Sequence, residues 1–252
     1  MSTAVQLALY SAIIVLGALA GALVPLRAKT TRLIAFMAFA AGIMFGAAFF
    51  HMLPEAYRGG GFGAFWLLPA GFVFLFLLER YVLVHACEEP PDCAEHVHSP
   101  AMGMTAFLGL AVHTLFDGVA LGSAIVEDVG LTAFIAITAH KVPSSLSLAA
   151  VLKAEGRSNR SVLLYAALYG LMVPIGALLW YGLYAVVPFE KFSPLALAFS
   201  AGSFLYIAVS DLLPHINRHG KDKRLRNVLG LLLGLGLMAV LSVVLMSHEH
   251  HH

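Results

Sequence analysis

Long apolar stretches broken by short polar loops run from one end of the chain to the other. Eight of them reach the roughly 20 residues a helix needs to cross a hydrocarbon core. They lie near 4–26, 32–53, 62–84, 102–125, 129–152, 161–186, 194–215 and 227–246. Each is read as a helix, because a segment in lipid satisfies its backbone hydrogen bonds internally. The first stretch has no basic residue before it, so it lacks the leading region of a cleaved signal and is kept as a span. Only the loop at 85–100 is long, which leaves no room for a separate soluble domain. The expectation is one all-α polytopic membrane domain covering residues 1–252.

Composition agrees with this pattern. The chain is 60% hydrophobic and 12% charged, about half the charge of a soluble domain. A net charge of +1 says nothing in itself about nucleic-acid or acidic partners, and no nucleic-acid partner is expected. Cys87 and Cys93, both in one loop, are too few for a disulfide scaffold. Alternate loops collect Arg27, Lys29 and Arg32; Arg80; Lys153, Arg157 and Arg160; and Arg218, Lys221, Lys223, Arg224 and Arg226. The opposite side holds only Arg58 and Lys191. Basic loops face the cytoplasm, so both termini are expected outside a cell (inner or plasma) membrane.

The chain also repeats itself. Residues 41–55 read AGIMFGAAFFHMLPE and residues 201–215 read AGSFLYIAVSDLLPH, with Ala41/Ala201, Gly42/Gly202, Ala48/Ala208, Leu53/Leu213 and Pro54/Pro214 identical. The second span runs outward and the seventh inward, so the copies are inverted. Inverted repeats characterise secondary transporters, whose sites lie near the midplane between the repeats.

Ionisable residues in the middle of two neighbouring spans point to chemistry. HTLFDG supplies His113 and Asp117, and HKVPSS supplies His140, Lys141, Ser144 and Ser145. Such groups are costly at bilayer depth unless paired, hydrated or bound to an ion. His113 and Asp117 share one helix face. His140 adds a ligand from the next helix, with the Ser144 hydroxyl one turn along. Two imidazoles and a carboxylate suit Zn²⁺ well, and Fe²⁺, Mn²⁺ or Co²⁺ tolerably. Pro143 removes a backbone donor and loosens the ladder behind His140.

With these motifs in place the chain resembles the ZIP family of divalent-metal transporters. HTLFDGVALG is similar to the family's fourth-span motif and HKVPSS to its fifth, while HMLPEA and AGSFLYIAVSDLLP resemble its second and seventh spans. The resemblance implies an eight-helix fold with an inverted repeat, and transport of a divalent ion, Zn²⁺ first and Fe²⁺, Mn²⁺, Co²⁺ or Cd²⁺ as alternatives. It implies a site of His113, Asp117 and His140. Ser144 stands where many relatives have a ligand, and Met44 where a thioether can ligate. Three positions depart from two-metal members: Thr114 where Asn is frequent, Lys141 where an acid is frequent, and Val173 where Glu precedes Pro174. These departures suggest a single-metal site, with the Lys141 ammonium standing where a second cation would sit.

The ends of a path are legible as His51 and Glu55 outside, and Asp211 and His215 inside. The loop CEEPPDCAEHVH adds cytoplasmic ligand candidates in Cys87, Asp92, Cys93, His96 and His98. The final SHEHHH run is assigned no function. Alternating access would rock spans two, four, five and seven against the rest. The scattered glycines leave a homodimer open as well as a monomer. Two other classes also stay open at this point: an intramembrane zinc hydrolase, disfavoured because no HExxH occurs, and a metal sensor that moves nothing.

Overall fold

The computed structural model describes residues 2–28, 30–83, 101–126, 130–183, 189–219 and 224–249, and these are almost wholly helical. The main elements are α1 (Thr3–Leu26), α2 (Thr30–Gly46), α3 (Leu53–Gly60), α4 (Leu67–Leu78), α5 (Ala101–Val126), α6 (Gly130–Ala154), α7 (Asn159–Leu183), α8 (Phe189–Tyr206), α9 (Leu213–His219) and α10 (Arg224–Glu249). Among the described residues, seven helical runs are long and apolar enough to cross a membrane. The chain is an integral, multi-pass membrane protein.

Two of the expected spans, 32–53 and 62–84, share one continuous run of 50 residues, Arg32–Tyr81. The run doubles back at Gly61, whose φ of 60° and ψ of −160° suit glycine alone. Gly59, Gly60 and Ala64 crowd together there against Pro194 at the start of α8. Before the turn, α2 packs on the segment after α8 and α3 on α8 itself, so the chain runs antiparallel to α8. After the turn, α4 follows α8 in the same direction, with Gly71 against Phe199 and Glu79 against Tyr206. Seven uninterrupted runs therefore accommodate the eight expected crossings.

The repeat read from the sequence has the same local structure in both copies. A π-helical turn follows α2 at Ala47–Met52 and follows α8 at Ile207–Leu212. Each turn stops just before Leu-Pro, at Pro54 and Pro214. Proline has no N–H, so the carbonyl four residues earlier loses its helical partner. Inside the first of these turns, the Phe50 carbonyl accepts the Ser242 hydroxyl of α10. Gly42 and Gly202, identical in the repeat, also do the same work. A methyl on Gly42 would overlap the Leu231 carbonyl of α10, and one on Gly202 the Leu68 carbonyl of α4. Their partners reciprocate, with Gly234 against Phe39 and Gly71 against Phe199.

Close glycine contacts sort the helices into two units. In one, Gly118 of α5 meets Val173 of α7, Gly176 of α7 meets Leu115 of α5, and Gly21 of α1 meets Val142 of α6, all at backbone atoms. The Ser145 hydroxyl adds a bond from α6 to the Ala18 carbonyl of α1. The other unit holds α2, α3, α4, α8 and α10. Between the units, Gly109 is the one described glycine facing across, and it meets only the side-chain ends of Ile207 and Leu75. These glycine crossings pair spans four and six and spans one and five, while spans two and five also pack on one another. Spans four and five are fastened to one and six, because backbone-to-backbone glycine crossings lie within these sets and apolar side chains lie between them. The apolar core lies at this junction and includes Met37, Met44, Leu148, Phe204 and Ile207.

Candidate metal centre

Helical spacing puts His113 and Asp117 one above the other on α5, and the α5–α6 packing brings His140 of α6 to them. His113 Nε2 lies 3.4 Å from Asp117 Oδ1, and His140 Nε2 lies 3.3 Å from Asp117 Oδ2. One ligand atom from each of the three lies within 4.8 Å of the others, and all three side chains are buried. Ligands about 2.1 Å from a tetrahedral Zn²⁺ are spaced by about 3.4 Å, close to the distance from each imidazole to its own oxygen of the Asp117 carboxylate.

Hydrogen bonding fixes what these atoms offer. His140 Nδ1 is 2.9 Å from the Ala136 carbonyl of its own helix, which can only accept. The Nδ1–H therefore donates there, and Nε2 is left facing Asp117. That nitrogen lies 3.3 Å from Asp117 Oδ2, within reach of a shared ion. His113 Nδ1 is buried and has no hydrogen-bond partner among the described residues. The Phe204 ring of α8 packs edge-on against His113, with centroids 5.0 Å apart.

Lys141 is completely buried beside this trio. Its ammonium donates to Thr114 Oγ1 at 2.7 Å, lies 3.6 Å from Asp117 Oδ2 and stands 4.2 Å over the Tyr169 ring of α7. These three neighbours make a buried ammonium tenable. Tyr169, fully buried and apolar in its sequence context, gave no signal in the chain as a neighbour of the site. Only the helix packing shows it.

The remaining candidates are spread along the fold. Ser144 is buried, and its hydroxyl donates to the His140 carbonyl at 2.7 Å. Met44 is fully buried in the core, on α2 where it packs on α6. His51 was expected near an outer entrance, yet its ring lies against His140 with centroids 5.6 Å apart. It rides on the π-helical turn and is half-buried there. Glu55, one turn further on, pairs with Arg58. Both line a cavity of about 470 Å³ with Val119, Ser123, Ser193 and Pro194. Asp211 sits in the matching π-helical turn, near Glu79, whose carboxylate accepts the Tyr206 hydroxyl at 2.8 Å. His215 lies on α9, in contact with its surroundings. Cys87, Asp92, Cys93, His96 and His98 lie outside the described residues.

Comparison with known proteins points the same way. The family model described as ZIP Zinc transporter matches residues 91–242. The chain is 32% identical over 206 residues to "Zinc transporter ZIP9" of Micropogonias undulatus, covering 73% of this chain and 64% of that protein. It is 31% identical over 177 residues to "Zinc transporter foi" of Drosophila melanogaster, covering 62% and 25%. It is 35% identical over 150 residues to "Zinc transporter ZIP1" of Takifugu rubripes, covering 58% and 48%. The chain thus spans less than two thirds of the length of these relatives. The family model covers more than half of the chain and takes in His113, Asp117 and His140: the chain belongs to the ZIP zinc transporter family.

Proposed function

We propose that this chain moves a divalent transition-metal ion, zinc first, across the membrane into the cytoplasm, and that it is a transporter rather than an enzyme. The observation that carries the reading is the convergence of the His113 and His140 Nε2 atoms on the Asp117 carboxylate in a buried site. Two nitrogens and a hard oxygen form a borderline donor set that suits Zn²⁺. His51 beside His140 is the candidate fourth ligand or the last stop of the incoming ion. Ser144 and Met44 are weaker ligand candidates: the first is engaged with its own backbone and the second lies in apolar packing.

The ion's route runs from the cavity lined by Glu55, past His51, to the central trio, and then toward Asp211 and His215. The two glycine-fastened units supply the moving parts. The ligands His113, Asp117 and His140 all ride on one unit, and His51, Glu55, Asp211 and His215 on the other. Sliding one unit against the other across side chains alone would carry the trio from the outer gate to the inner. Fe²⁺, Mn²⁺, Co²⁺ and Cd²⁺ are the competing cargoes for this donor set.

The site is proposed to hold one ion, with Lys141 in place of a second. Calorimetric titration tests this. Wild type should bind one zinc per chain, His113→Ala and Asp117→Ala should bind none at the site, and Lys141→Glu should bind a second. An unchanged count in Lys141→Glu would sink the single-ion assignment.

A further inference from the structure

We propose that Lys141 is the counter-charge of the empty site, and that it lets the unloaded carrier return across the membrane without a second substrate. This rests on the transport reading above. A carrier that delivers its ion must reset empty. Without a partner, the Asp117 carboxylate would then cross the bilayer centre as a lone buried charge, which is the costly case. In this chain the Lys141 ammonium is 3.6 Å from Asp117 Oδ2, so the empty site is a neutral pair.

The same ammonium has somewhere else to be when metal arrives. Thr114 Oγ1 accepts from it at 2.7 Å and the Tyr169 ring faces it at 4.2 Å. It can yield Asp117 to a dication by a small shift and still keep both contacts. Because Lys141 is wholly buried, water offers it no alternative partner.

Location on the fold sharpens the argument. Asp117 and Thr114 lie on α5, Lys141 on α6 and Tyr169 on α7. All three helices belong to one glycine-fastened unit, so the counter-charge travels with the site. A basic partner on the opposite unit would instead tether the empty site to one side. The charge balance follows. The empty site carries Asp117 and Lys141 and is neutral, while the loaded site carries these and a dication. Two charges cross per ion, and membrane potential acts on the loaded step alone.

Transport in proteoliposomes separates the two half-cycles. Net uptake into zinc-free vesicles requires the empty return, whereas radioactive zinc exchange at saturating zinc on both sides requires only the loaded site. Lys141→Met keeps the stem and removes the charge, and Lys141→Gln keeps a donor. Both should lower the ratio of net uptake to exchange about tenfold or more relative to wild type, the effect of an unpaired buried charge on the empty-return barrier. Lys141→Arg should recover part of the net uptake. Net uptake and exchange falling together in both neutral variants, or neither falling, would overturn the proposal. A wild-type protein showing neither uptake nor exchange would instead overturn the transport reading on which it rests.

Discussion

Gly118→Ala tests the claim that backbone contact between α5 and α7 holds the metal site in shape. A methyl at Gly118 would overlap the Val173 carbonyl oxygen and come within 2.9 Å of its carbon and 3.0 Å of the Ala177 nitrogen. The atoms met are backbone, so no side chain can rotate away. To restore ordinary contact the two helices must part by roughly 1 Å. Overpacking of this kind costs about 1–3 kcal/mol, or a fall of about 2–4 °C in apparent melting temperature for each kcal/mol at this chain length. The displacement also reaches the site, because Asp117 is the adjacent residue and Tyr169 lies one turn before Val173. Zinc affinity should therefore fall together with stability. The internal control is Gly236→Ala on α10, where a methyl meets nothing within 4 Å. There the gain in helix propensity should stabilise by up to about 1 kcal/mol. Melting in detergent and calorimetric zinc binding read both effects. Equal stability of Gly118→Ala and Gly236→Ala, with unchanged zinc affinity, would refute the close-contact account.

Other outcomes follow from single contacts. Ser242→Ala leaves the Phe50 carbonyl without its hydroxyl donor from α10, and should cost about 1 kcal/mol by melting; no loss would mean that another group takes over the carbonyl. Glu155, just beyond the end of α6, accepts the Gly103 backbone N–H at 2.5 Å and lies 3.6 Å from the Arg157 guanidinium. Burial pushes its carboxyl up to about 7, against the smaller opposing effects of Gly103 and Arg157. The unfolded carboxyl ionises first as pH rises, so the folded state holds the extra proton and wild-type stability should decline between about 4.5 and about 7. Glu155→Gln should flatten that part of the melting profile, and an unchanged slope would assign it to other groups. His140→Ala should abolish zinc binding at the site while leaving the fold intact, since the ring's backbone hydrogen bond stays within its own helix, at Ala136; retained stoichiometry would remove His140 from the ligand set.

Much of this arrangement was legible in the chain. Apolar length gave the spans, and 3.6-residue periodicity put His113 over Asp117. The repeated AG…LP pattern carried real structural content, since Gly42 and Gly202 make equivalent crossings and both copies form a π-helical turn before proline. What escaped sequence reading depends on packing between segments far apart in the chain. The sequence places His51 toward the outer end of its span, and only the packing of distant segments shows its ring beside His140. Tyr169 looks like any aromatic on an apolar face until α7 is placed under Lys141. The pairing of helices at close glycine crossings escaped sequence reading for the same reason. Glycine positions are visible in the chain, but their partners are not, and the partners decide which helices move together.

The central claim is that His113, Asp117 and His140 form the site through which a metal ion crosses the membrane. Radioactive zinc uptake into proteoliposomes tests it most directly, comparing wild type with His113→Ala and Asp117→Ala. The account predicts saturable uptake by wild type and its loss in both variants. Zinc held stoichiometrically by wild type but never moved, or uptake that survives in both variants, would contradict it.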